Sequence, residues 1–177
     1  MRNLTTAMIA VALAACATAP KSSSGRAELE TQANSTLSAM MDRDPGLRET
    51  LSRSAGYAVF PNIGKGGLVV GAAHGRGILF ERGTPVGYVD LNQGSVGAQI
   101  GAQSFSELIV FQDPARVQAL KNGTFSVGAN ASAVALTAGA AASTTFRDGV
   151  AIFVVPKGGA MAELSVSGQQ INFTPRG

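Results

Sequence analysis

The sequence predicts an α+β domain: N-terminal helices followed by a glycine-rich antiparallel β-sheet curling toward a barrel, with one short helix between strands. Three observations carry that reading. Before Gly56 the apolar residues recur at helical spacing. After Gly56 the period drops toward two, as in half-buried strands. The composition agrees: 177 residues hold 45% hydrophobic residues and 22 glycines but no Trp. Small residues must therefore supply much of the packing, which favours close backbone approach in strands over a bundle of bulky helices.

The elements follow in order. In 26–43, "RAELETQANSTLSAMMDR", Leu29, Ala33, Leu37 and Met40/Met41 form one face of an amphipathic helix. Asp44-Pro45 reads as an N-cap and first helical position of a short second helix with Leu47 and Leu51 inward, ended by Gly56. Tyr57 to Phe60 is a β-type run stopped by Pro61-Asn62. Residues 66–82, "GGLVVGAAHGRGILFER", give one or two extended segments closed by a turn around Gly83. Val86 to Asn92 reads as a strand. Gly94 to Gln103 alternates more cleanly, with Val96, Ala98, Ile100 and Ala102 on one face. Ser106 to Gln112 continues as a strand. Asp113-Pro114 opens the short intervening helix, with Val117 and Leu120 inward and Gly123 as its stop. Phe125 to Ser143 mixes helix-forming alanine with Gly128, Val134, Gly139 and hydroxyl residues, and is read as strand-rich. Val150 to Pro156 is the strongest strand, and Ala160 to Phe173 gives a terminal strand or hairpin. Helices first and strands afterwards place the chain in the α+β class.

Ahead of this domain, Arg2 and the apolar run Ala7 to Ala15 have the form of an export signal, too short to span a bilayer. The run ends in Leu13-Ala14-Ala15-Cys16, which resembles the lipobox of bacterial lipoproteins, whose cysteine is acylated before cleavage ahead of it. Cys16 has no other cysteine to pair with, which suits a lipidated end. An ordinary signal peptide, or a cysteine buried in a helix, is the alternative. The implied organisation is a leader over 1–15, a flexible tether over 16–25 rich in Pro, Ser and Gly, and a domain over 26–177. Ala17, rather than Asp, after the cysteine resembles an outer-membrane sorting signal. The expected location is the outer membrane, lipid-anchored and facing the periplasm.

The formal charge is +3 and falls to +2 without Arg2, and the chain has no Lys/Arg run, so no nucleic-acid partner is expected. Enzyme motifs fail in turn. Gly64-Lys65 is followed by Gly66 where a phosphate loop needs Ser or Thr, and Val69 stands where a dinucleotide fingerprint needs Gly. His74 is the only histidine, and no G-x-S-x-G elbow presents a serine to it. A single histidine without clustered Cys or carboxylates makes a poor zinc site. The pairs Glu28/Glu30 and Asp42/Asp44 read as solvated helix charges, and Asp90 as a cross-strand or turn hydrogen-bond partner. No catalytic residue, metal site or small-molecule cofactor is expected.

Binding remains. Lys65, Arg76 and Arg82 sit in or beside glycine-rich extended segments, where a ligand can approach the backbone, and basic side chains favour an anionic bilayer. They are the lipid-binding candidates; the plainer reading is exposed charges that keep strands soluble.

The segment "LSRSAGYAVFPNIGKGGLVVGAAHGRGILF" resembles the opening block of SYLF domains, roughly G-[YIV]-x-[VI]-F-P-x-x-x-K-x-G-x-x-x-G-G-x-x-G-x-G. Gly56, Tyr57, Val59, Phe60, Pro61, Lys65, Gly67, Gly71, Gly75 and Gly77 fill its places. A second block is filled by Gly94, Gly97, Gln99, Gly101, Glu107, Ile109 and Phe111, and the likeness runs from Leu29 to Phe173. Ala72 replaces a usual glycine, and the C-terminal part lacks the family's common Y-S-x-x-x-G form. The resemblance implies binding of phospholipid or phosphoinositide, actin binding in fungal and animal members, and no enzyme activity. For an envelope protein, general anionic phospholipid binding is what transfers. The expected function is therefore a non-enzymatic, lipid-anchored envelope protein that binds a phospholipid membrane. The alternative is a structural lipoprotein that docks a protein partner in the periplasm.

Overall fold

The computed structural model describes residues 20–67, 70–96, 102–128, 131, 133–158, 166 and 168–176. Two helices come first, α1 (Ser23–Arg43) and α2 (Leu47–Arg53). Four long strands come next: β1 (Gly56–Gly67), β2 (Val70–Glu81), β3 (Thr84–Val96) and β4 (Ala102–Phe111). Then come α3 (Pro114–Lys121), β5 (Ala133–Ala135), α4 (Ala140–Ser143), β6 (Val150–Gly158) and β7 (Gln170–Pro175). The strands form one sheet in the order β5-β6-β4-β1-β2-β3-β7. All neighbours are antiparallel except β5 with β6. The sheet is open, with β5 and β7 as its edges, and does not close into a barrel.

Helix α1 begins earlier than its apolar stripe suggests, because the Ser22 hydroxyl caps it by accepting from Gly25 N at 3.1 Å. Its buried residues are Leu29, Ala33, Leu37 and Met40, the expected stripe. They pack on Tyr57, Val59, Ile78, Phe80, Tyr88, Leu108 and Val110, one face of the sheet. The opposite face carries Ala58, Phe60, Ile63, Leu79, Val89, Phe105, Ile109 and Phe111, covered by α3 and by Phe125, Val127 and Val166.

A bulge in β1 sets the orientation of the strand's second half. The register slips between Val59 and Asn62 against β2, and between Phe60 and Ile63 against β4. Pro61, which lacks a ladder N–H, sits in the slip, and its carbonyl accepts the buried Ser106 hydroxyl at 2.7 Å. One extra residue reverses side-chain parity, so Ile63 and Lys65 join Phe60 on the α3 face. Gly77 makes the crossing possible: a Cβ there would stand 2.3 Å from Val59 O.

Other expectations change: β1 does not stop at Pro61-Asn62 but runs on to Gly67, and Asp44 is buried rather than solvated. Asp44 does not cap α2, which starts at Leu47 with Gly46 at its N-cap. The Asp44 carboxylate instead accepts from Gly46 N at 3.1 Å and from Ala141 N at 2.7 Å, so a long-range contact takes it. The described residues of 125–143 are not strand-rich: among them only β5 and a single bridge from Ser126 to Gln170 pair, while α4 uses the alanines as helix. A run of Ala and Gly offers too little apolar surface to hold a longer strand on a sheet edge. Val69, the alternation over 97–101 and most of the hairpin region from Ala160 lie outside the described residues.

Candidate functional site

The structure does not bring Lys65, Arg76 and Arg82 together. Lys65 is 4% exposed, and its Nζ has no hydrogen-bond partner among the described residues. Burial lowers its pKa from the ordinary lysine value. It lies in register with Ala73 and Gln103 on the α3 face. Arg76 lies on the other face, with its Nε 3.9 Å from Asp90 Oδ2. Asp90, only 2% exposed, also accepts from Asn92 Nδ2, and its Oδ2 lies 3.7 Å from His74 Nε2. The hydrogen bond expected of Asp90 comes from Asn92 on its own strand, and its cross-strand contacts to His74 and Arg76 are charge approaches at 3.7 and 3.9 Å. Arg82 (φ 49°) and Gly83 (φ 79°) are the central residues of the tight β2–β3 turn, at the far end of both strands. Cys16 lies outside the described residues.

A different pair of cations shares one cleft. The β4–β6 pairing sets Val150 opposite Phe111, and the chain reaches Val150 through a second tight hairpin. Arg147 and Val150 exchange both backbone hydrogen bonds at 2.9 Å around Asp148 (φ 51°) and Gly149 (φ 75°). Gly149 is seated against the start of α3, where a Cβ would lie 2.9 Å from Asp113 Oδ2 and 3.2 Å from Arg116 Nε. Asp113 caps that helix, accepting from Arg116 N at 3.1 Å. The hairpin and the cap thus place Arg147 and Arg116 on the walls of one cleft of about 480 Å³.

Its floor is apolar, built from Phe125, Val127, Val134 and Ile152, and its rim carries Ser126 and Thr145. Ser143 and Thr144 also line it, but their hydroxyls donate to Ala140 O at 3.1 and 2.6 Å. Among the described residues neither Arg116 nor Arg147 is in an ion pair. Two open guanidiniums, with the single carboxylate of Asp148 beside them, above an apolar floor suit a ligand with an anionic head and a hydrocarbon body. Among the described residues no three His, Cys, Asp or Glu side chains could hold a metal, and no helix is long and apolar enough to cross a membrane.

Neither arginine stands out in the sequence as a site residue. The signal for one of them is Asp148-Gly149, a dipeptide suited to a type I′ hairpin turn, with Arg147 directly before it. The burial of Glu107 is equally unannounced: it is fully enclosed and accepts from Gln169 Nε2 at 3.0 Å. Desolvation pushes its carboxyl up to about 7, against a smaller opposing pull from Gln169. An acidic residue inside "SELIVF" is the visible sign.

Residues 92–175 match the Ysc84 family model, described as a Las17-binding protein actin regulator. The match covers 84 of the chain's 177 residues and shows a Ysc84 (SYLF) domain there. The matched residues contain β4 through β7 and every residue of the cleft. The chain is also similar to Beta cell expansion factor A of Aeromonas veronii, at 24% identity over 146 residues. That alignment covers 82% of this chain and 56% of the relative, so the chain spans little more than half the relative's length. The SYLF resemblance read from the glycine-rich blocks and the family match therefore agree.

Proposed function

We propose that this SYLF-domain chain is a non-enzymatic, lipid-anchored envelope protein that binds anionic phospholipid in the Arg116–Arg147 cleft. The cleft is the observation that carries the reading. Guanidiniums recognise phosphate oxygens through paired N–H donors, and the Phe125–Val127–Ile152 floor accepts hydrocarbon. The lipobox-like residues ahead of Cys16 support the anchor, and Ala17 directly after it supports the outer-membrane location. The match to a family whose resemblance implies phospholipid binding supports the ligand class.

The test uses residues 20–177, without the acyl anchor, in flotation with phosphatidylglycerol vesicles and with phosphatidylcholine vesicles. The fragment floats with the first and not the second, and salt weakens binding. Arg116→Gln or Arg147→Gln weakens it about tenfold each, the loss of one charge-assisted hydrogen bond at roughly 1.5 kcal/mol or more. Equal binding by the double variant would remove the cleft from the reading. No binding to either vesicle at low salt would end the phospholipid reading.

A further inference from the structure

Pro20, four positions after Cys16 in the sequence, and the cleft lie at opposite ends of α1. At the helix start, Pro20 lines a small cavity with Glu28, Leu29, Asn62 and Arg76. It is fixed there, since Arg26 Nε donates to Pro20 O at 3.0 Å. At the helix end, the Asp44 carboxylate holds Ala141 N, two residues before Ser143 of the cleft wall. The 21 residues between span about 30 Å at 1.5 Å per residue.

Among the described residues the sheet beside Pro20 is bare on its α1 face. Gly64, Ala72, His74, Arg76, Asn92 and Gly94 are all exposed there. A Cβ added at Gly64 or Gly94 would meet nothing within 4 Å. Among the described residues Arg76 is the cation of this patch, with His74 beside it and Asp90 buried beneath both. Glu28 in the neighbouring cavity accepts from Gln32 Nε2 at 3.0 Å.

The tether from Cys16 to Pro20 is four residues, which reach at most about 14 Å when fully extended. Resting on the lipoprotein reading above, we propose that the bare sheet face around Gly64, Ala72 and Arg76 lies against the bilayer that holds the acylated Cys16, while the Arg116–Arg147 cleft opens to the aqueous phase. The short tether fixes the Pro20 corner at the headgroups. A face of small residues with Arg76 among them continues from that corner, and it lets the sheet approach the headgroups closely.

The experiment uses the full chain, purified from membranes with its anchor and reconstituted into vesicles of phosphatidylethanolamine and phosphatidylglycerol. A fluorophore is placed on Ala72→Cys or Thr145→Cys. A nitroxide on the lipid headgroup quenches the Ala72 label at least threefold more than the Thr145 label, and dissolved iodide gives the reverse order. Inserting a long Gly/Ser linker between Ala19 and Pro20 reduces the difference. Equal quenching of both labels, or stronger lipid quenching at Thr145, overturns the orientation. The mass of the extracted chain separates the two ideas. Acyl mass present with equal quenching sinks the orientation alone, whereas acyl mass absent sinks the lipoprotein reading and the orientation with it.

Discussion

The Asp44 carboxylate accepts a hydrogen bond from the Ala141 backbone N–H at 2.7 Å, joining residues 97 positions apart. Burial alone raises the pKa of this carboxyl, but donors from Ala141, Gly139 and Gly46 outweigh it, and the pKa is lowered. The contact ties the end of α1 to α4 and so to one wall of the cleft.

Asp44→Ala leaves those buried N–H groups without an acceptor, at a cost of about 2 kcal/mol. In a domain of this size the midpoint of thermal unfolding falls by roughly 4–8 °C. Because the folded pKa is depressed, the contribution is present above pH 3.8 and is lost as pH falls through the lower folded value. Melting curves of both proteins at pH 3 and pH 7 would show the difference narrowing in acid; an undiminished gap at pH 3 would contradict the assignment.

Glu107 gives the opposite slope. Its pKa rises from 4.5 to about 7 in the fold, so the folded state holds the proton that the unfolded chain releases. Stability is fully present below pH 4.5 and is lost as pH rises through 7, by about 3 kcal/mol. Glu107→Gln keeps an oxygen for Gln169 Nε2 and removes the titration. Denaturant midpoints for this variant stay level from pH 5 to pH 8, where the parent declines.

Lys65 tests whether the buried ammonium is structural or a lipid contact. Its folded pKa is below 10.5, so stability rises as pH climbs from that lowered value toward 10.5. Lys65→Met stabilises the domain at pH 7 by about 1–2 kcal/mol, flattens that rise and leaves vesicle flotation unchanged. Weaker flotation by a fully folded Lys65→Met protein would return this residue to the lipid site.

Arg82 occupies a left-handed position that a type I′ turn gives to Asn far more readily. Arg82→Asn stabilises the domain by about 0.5 kcal/mol, with unchanged vesicle binding. A drop in binding measured on the folded variant would show that the side chain acts on lipid as well as sitting in the turn.

Helix α1 is legible in the sequence because four apolar residues at helical spacing meet one continuous sheet face. The strand over Val150 to Pro156 is legible because β-branched and aromatic residues crowd one short run. The placement of Lys65 is not, because it depends on one bulge at Pro61 that alternation alone does not reveal. The cleft is illegible for another reason. Arg116, Phe125, Thr145 and Ile152 come from separate segments that only the β4–β6 pairing and two turns bring together. Asp44-Pro45 points to a local helix cap, whereas the partner of Asp44 lies almost a hundred residues away.

The slip at Phe60–Pro61 also acts as a reading frame for comparison between relatives. Moving an alignment gap by one residue across it exchanges every inward position from Ile63 to Gly67 for an outward one. A ligand contact transferred from another member onto this stretch therefore lands on the correct side of the sheet only when the extra residue is counted.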